Sequence, residues 1–148
     1  MAQLRTPIVS CVIGEGGSGG ALAIGVTDRI YMLEHSVYSV AAPEASAAIL
    51  WRDSSKAADA ARTMRITAQD LTEMGIVDDI IPEPEGGAHL DADNTVRKVG
   101  DVILAAIEEL SLIPTDQLLA QRYDKYRVIG AYNTVATPQQ GHGDPIAF

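Results

Sequence analysis

The apolar run Pro7-Ile-Val-Ser-Cys-Val-Ile13, followed at once by Gly14-Glu-Gly-Gly-Ser-Gly-Gly20, limits the possible folds more than any other feature of the chain. Short, β-branched and closed by glycine, the run predicts a buried strand, central in its sheet. Gly14 to Gly20 predicts a loop, and Ser18 to Val26 then predicts the start of a tightly packed helix. Its Gly19, Gly20, Ala21, Ala23 and Gly25 carry almost no bulk, so something approaches that backbone closely. Strand, glycine loop and helix in this order turn backbone N–H groups outward together, and the helix adds its positive N-terminal end. Such a site binds an anion, or a developing oxyanion, without a charged side chain. A helix–strand contact that merely needs small residues would account for the same glycines without any chemistry.

Composition narrows the class. The formal charge of −9 excludes a general nucleic-acid binder, which needs clustered Lys and Arg, and makes the bare surface a poor dock for a polyanion. With 148 residues, 47% of them hydrophobic and 21% charged, the chain suits one globular domain. Cys11 is the single cysteine, so no internal disulfide can form; a buried core thiol in a reducing, cytoplasmic setting is the expectation. No signal-peptide h-region or bilayer-length apolar stretch is present, so no membrane is expected.

Downstream, Arg29 to Leu33 and Val37 to Ala41 predict short strands, and Pro43 opens a helix to about Trp51. Ser54 or Ser55 is the expected cap of a helix through Met64, and Thr67 with Asp70 resembles a capping box for a helix to about Met74. Val77 to Ile81 predicts a last strand, stopped by Pro82 and Pro84. Gly86-Gly87 predicts a loop; Asp93 to Leu110 and Thr115 to Ile129 predict amphipathic helices. Residues 133–148, rich in Pro, Gln, Gly and Thr, predict a disordered tail. Four strands against more helices, with nothing upstream to flank the first strand, give the expectation of an incomplete α/β fold.

The glycine loop fits several local patterns at once. Gly14, Gly16 and Gly19 fit G-x-G-x-x-G, with Glu34 about 20 residues on, as a dinucleotide fingerprint has it. Gly16, Ser18 and Gly20 fit the G-x-S-x-G nucleophile elbow, with Asp78 or Asp79 and His89 downstream in triad order. The absence of G-K-[ST] excludes a Walker-type loop. Glycine-rich runs match such patterns by chance, and each match alone is weak.

The segment Thr6 to Val26 closely resembles the carboxyltransferase α-subunit family of acetyl-CoA carboxylase. The likeness continues through Tyr38-Ser-Val40, Ala42-Pro-Glu44, Ala48-Ile-Leu-Trp51 and Ile80-Ile-Pro-Glu-Pro-Glu-Gly-Gly-Ala-His89, to about Arg122-Tyr123. The resemblance implies a crotonase-like (ClpP/crotonase) fold of repeated ββα turns, here the C-terminal half of the domain, spanning residues 1–132. The implied reaction moves a carboxyl group from carboxybiotin, on a biotin carboxyl carrier protein, to acetyl-CoA, giving malonyl-CoA for fatty acid synthesis. It further implies a carboxyltransferase β subunit that mainly holds CoA and a zinc site of its own, an α2β2 assembly, and no metal on this chain.

Carried onto this sequence, the family's oxyanion donors are the backbone N–H groups of Gly16 and Gly17. Gly14, Ser18, Gly19, Gly20 and Glu44 fall in the biotin-binding surroundings, although a first-turn carboxylate favoured by the helix dipole also explains Glu44. Ser18 then becomes a helix cap, and no protein base is required. His89 is expected in loop structure or at a pocket rim; His35 and His142 carry no signal. Arg122, Tyr123, Lys125, Tyr126 and Arg127 form a basic, aromatic patch expected at a subunit contact or on a solvated helix face.

Departures set the alternatives. The family's N-terminal half, with its early strands and another glycine-rich loop, has no counterpart here. Ala45-Ser46 follows Glu44 where a glycine and a small or sulfur residue are expected. An inactive fragment or interaction module that binds the β subunit or itself, and a Ser18 hydrolase, are therefore the other readings; alone, the chain is expected to form a homo-oligomer.

Overall fold

A computed structural model describes residues 1–130. The order is β1 (Val9–Val12), β2 (Glu15–Gly17), α1 (Ser18–Gly25), β3 (Arg29–Leu33), β4 (Val37–Ser39) and α2 (Pro43–Trp51). There follow α3 (Ala57–Met64), α4 (Ala68–Glu73), β5 (Asp79–Ile81), α5 (Ala92–Ser111) and α6 (Thr115–Arg127). The chain is therefore mixed α/β. The expected tail at 133–148, with His142, lies outside the described residues.

Among the described residues, five strands form two parallel sheets, β1-β3-β5 and β2-β4. β3, not β1, is the central strand: Val9 pairs with Arg29 on one side, and Tyr31 with Asp79 on the other. This corrects the expectation of a central β1: paired on one side only among the described residues, its four residues are half-buried. The core gathers Ile30, Met32, Ala68, Leu71 and Val77, with Val12, Tyr38, Ile76 and Ile80 at its margin.

The expected loop is also corrected. Glu15–Gly17 extends as β2 and pairs with β4, Gly16 opposite Tyr38. Glycine has little strand propensity of its own; here its missing side chain lets the Tyr38 ring lie on the strand. A Cβ on Gly16 would stand 2.5 Å from Tyr38 Cδ2.

Helix starts follow local chemistry. Pro43 occupies the first turn of α2, which ends at left-handed Arg52. The turn before α3 is capped by Asp53, not by Ser54 or Ser55: its carboxylate accepts the Ser55 N–H (3.0 Å) and hydroxyl (2.6 Å). Thr67 caps α4 by accepting the Asp70 N–H at 3.3 Å, and returns its hydroxyl to the Asp70 carboxylate at 2.8 Å. Asp91 caps α5 through the Asn94 N–H.

α6 turns Arg122, Lys125 and Tyr126 inward, which corrects the expected subunit contact for three of the five. Arg122, 1% exposed, donates to both Asp28 carboxylate oxygens at 2.8 and 2.7 Å and to the carbonyls of Leu4 and Thr6. Lys125 pairs with Asp78 at 2.5 Å. The Tyr126 phenol accepts the Thr27 N–H at 2.8 Å and lies 2.5 Å from the Gly25 carbonyl, to which it donates. Tyr123 and Arg127 remain outside, the guanidinium 5.5 Å from the ring centroid. A buried charge is tolerated only when paired and saturated with hydrogen bonds, and this arrangement supplies both.

Candidate active site

β1 delivers the chain to the glycines at its C-terminal end, and β4 sets their register. Val37 donates its N–H to the Gly14 carbonyl at 2.9 Å, and Gly16 pairs with Tyr38. Successive peptide groups of a strand face opposite edges, so Gly14 and Gly16 face β4. The Gly17 N–H faces the other way, along an edge with no strand beside it among the described residues. Gly16, expected as a second donor, has its N–H turned into the β2–β4 ladder.

After Gly17 the chain turns sharply: Ser18 sits at φ +55° and opens α1. No side chain caps this helix and its first turn holds no acid. The Gly19 and Gly20 amides in that turn therefore have no intrahelical acceptor, and they add to the partial positive charge there. Ser18 is not the expected cap. Its hydroxyl donates to the Val40 carbonyl at 3.1 Å, because the left-handed backbone swings the side chain across to the strand after β4.

Two kinds of glycine can be told apart. Gly16 and Gly25 are glycine because Tyr38 occupies the space a side chain would need. At Gly14, Gly17, Gly19 and Gly20 an added Cβ would meet nothing within 4 Å, and none has positive φ. Internal packing does not require glycine there. A hollow of about 450 Å³ lies over this surface, lined by Cys11, Val12, Gly14, Gly16, Gly17, Gly20, Ile24 and Tyr38 among others. Ser18 and Gly19 line a second, of about 550 Å³, with Leu22, Val40, Met64 and Met74. Burial pushes the Cys11 thiol above its ordinary pKa, which leaves it protonated and a poor nucleophile.

The other candidates fall elsewhere. Glu44 is exposed in the first turn of α2 and lines neither hollow. The triad order does not become a triad. Asp78 accepts from the Ile30 N–H (2.7 Å) and Lys125, and His89 lines a separate hollow with His35, Glu83, Gly86 and Gly87. Glu34 accepts the Glu83 N–H at 3.1 Å, a loop contact. In that loop burial pushes the Glu83 carboxyl upward, but the N–H groups of His35 and Ala88 and the His35 ring outweigh it and hold it below its ordinary pKa. Tyr38 is the site residue the sequence reading missed; its signal was an aromatic in β4, the second strand after the glycine helix.

A family model described as acetyl co-enzyme A carboxylase carboxyltransferase-like matches residues 1–130. The acetyl-coenzyme A carboxylase carboxyl transferase subunit alpha of Halalkalibacterium halodurans is 54% identical over 135 residues, 91% of this chain and 42% of that protein. Its namesake from Listeria monocytogenes serotype 4a is 51% identical over 135 residues, again 91% of this chain and 42% of the relative. The chain thus spans less than half the length of these curated relatives. Among solved structures it is similar to a Pseudomonas malonate decarboxylase hetero-tetramer in complex with coenzyme A, with a TM-score of 0.61 and 22% identity, covering 82% of this chain and 48% of that one. At that identity the likeness speaks for the fold.

Proposed function

Because this chain belongs to the acetyl co-enzyme A carboxylase carboxyltransferase-like family, we propose that it forms the carboxyl-donor side of a transfer from carboxybiotin, on a biotin carboxyl carrier protein, to acetyl-CoA. The product is malonyl-CoA, for fatty acid synthesis in the cytoplasm. The observation that carries the reading is the set Gly14, Gly17, Gly19 and Gly20, where the chain's own packing leaves open space. Glycine at these positions suits a flat partner that must come within hydrogen-bond reach of the backbone.

The residues present fit a biotin ring: the hollow of about 450 Å³ is lined by glycine backbone and by apolar side chains such as Val12, Ile24 and Tyr38, with Glu15 its one charged lining residue. Carboxybiotin supplies the carboxyl group, and its ureido oxygen bears the charge left when that group departs. In this reading the Gly17 N–H holds this charge, helped by the first-turn amides of Gly19 and Gly20. Gly16 keeps β2 against Tyr38. A donor aimed at developing charge lowers the barrier without tightening the ground state, and losing one costs roughly 3–4 kcal/mol. Ser18, Gly14 and Glu44 take no chemical part in this reading.

The strand–strand–helix order of β1-β2-α1 and β3-β4-α2 supports a crotonase-type fold of ββα turns, with residues 1–132 as its C-terminal half. Acetyl-CoA and the zinc site belong to a β subunit in an α2β2 assembly. Ile13, Leu22, Ile24 and Val40 stand exposed beside the glycine strand and favour a protein partner there, a second copy of the chain when it is alone. The test is malonyl-CoA decarboxylation, the reverse reaction, with free biotin and added β subunit. Turnover that needs both chains is expected. Turnover by the pure chain at nanomolar concentration contradicts the division of labour, and none with β subunit leaves an interaction module instead.

A further inference from the structure

We propose that Tyr38 is the positioning residue of the glycine site, transmitting the rigidity of the core to the Gly17 amide; this rests on the carboxyl-transfer reading above. Three contacts carry it. The ring lies on β2, with Cδ2 and Cε2 at 2.5 and 3.1 Å from where a Gly16 Cβ would be. The phenol donates to the Ala21 carbonyl at 2.6 Å, one turn into α1. The same hydroxyl stands against Gly25 at the end of that helix.

α1 needs such a brace. It contains Gly19, Gly20 and Gly25, and glycine is the poorest helix former after proline. Its N-cap, Gly17, offers no side-chain hydrogen bond, and no first-turn acid supports the dipole. Left to its own propensity, a helix this short would fray. The donors would then lose the fixed aim on which oxyanion stabilisation depends.

β4, by contrast, is held from its far side. The Tyr38 N–H donates to the Ile66 carbonyl at 3.0 Å, Val37 bridges Thr67, and the Tyr38 side chain packs against the cluster of Ile30, Met32 and Leu71. One aromatic side chain thus joins the buried core to both the strand and the helix that flank Gly17. Burial pushes its phenol above the ordinary tyrosine value, which keeps it a donor. That proton is spent on Ala21, so Tyr38 acts through the backbone and not on substrate.

The decisive comparison is Tyr38→Phe against wild type, each as the full chain assembled with the β subunit. Loss of the hydroxyl should lower kcat for malonyl-CoA decarboxylation about tenfold, with KM for malonyl-CoA within about twofold. In the chain alone, amide exchange across Gly19–Gly25 should quicken about tenfold, while β3 amides and Tm hold near wild type. Gly16→Ala, which pushes on the ring from the other side, should reproduce the kcat loss, and exposed Tyr123→Phe should change neither quantity. An unchanged kcat, or unchanged exchange across α1, in Tyr38→Phe overturns the proposal. A wild-type assembly without turnover sinks the transfer reading instead, and the exchange measurement then still decides whether Tyr38 anchors α1.

Discussion

Replacing Arg122 with alanine should destabilise the protein strongly, although a basic residue on a C-terminal helix would ordinarily be called a surface residue. Its side chain is 1% exposed and that of Asp28 3% exposed, so the substitution strands a carboxylate in the interior. Asp28 retains only the Ile8 N–H, at 2.7 Å, and the carbonyls of Leu4 and Thr6 lose a donor at 2.8 Å each. Removing one partner of a buried pair costs about 3–5 kcal/mol, against a total stability of about 5–15 kcal/mol. At about 3–4 °C per kcal/mol for a chain of this size, Tm should fall by about 10–20 °C. Arg5→Ala is the control: it breaks a pair whose side chains are 63% and 86% exposed, worth about 0–1 kcal/mol at most. Circular dichroism melts of both variants, with Asp28→Asn/Arg122→Met as a third, decide the matter. The double variant leaves no lone charge and should recover much of the loss. Equal melts for Arg122→Ala and Arg5→Ala would refute the reasoning.

Gly16→Ala should lower stability by about 1–3 kcal/mol, since its Cβ meets the Tyr38 ring; Gly19→Ala, with open space, should match or exceed wild type. Urea unfolding distinguishes them. The Glu83 carboxyl is held below the ordinary value of 4.5, so its stabilisation is present above that pH and lost as pH falls through the lowered folded value. The Tm gap between wild type and Glu83→Gln should therefore be widest near neutrality and close below about pH 4.5; a gap that widens in acid contradicts the assignment. Ser18→Ala removes one exposed hydrogen bond to Val40 and should cost at most about 1 kcal/mol.

What could be read from the sequence was what neighbouring residues decide. β1, the Pro43 start of α2 and the Thr67 cap of α4 each follow from adjacent side chains. β2 could not be read, because Glu15–Gly17 has no strand preference and extends only by pairing with Tyr38, distant in sequence. Arg122 was misplaced for a related reason: long basic side chains are exposed by default, and only Asp28, far away in the chain, makes burial tolerable. Within the site the glycines stood out at once. Which of them serve packing and which face open space depends on where the Tyr38 ring lies, a tertiary fact. Ser18 as a cap failed because its left-handed backbone turns the hydroxyl away from its own helix.

The central claim is that the loop acts through main-chain geometry, and Gly17→Val set against Ser18→Ala tests it most directly. Gly17 is extended, at φ −141° and ψ 154°, a conformation valine adopts readily, and an added Cβ has open space. Gly17→Val should therefore fold, with a melt close to wild type, while its side chain covers the approach to the N–H. In the assembly with β subunit, kcat for biotin-dependent malonyl-CoA decarboxylation should drop by about a hundredfold or more in Gly17→Val, in line with loss of an oxyanion donor. Ser18→Ala should stay within a few-fold of wild type. Turnover kept by Gly17→Val and abolished by Ser18→Ala would contradict the account and give the serine the chemistry.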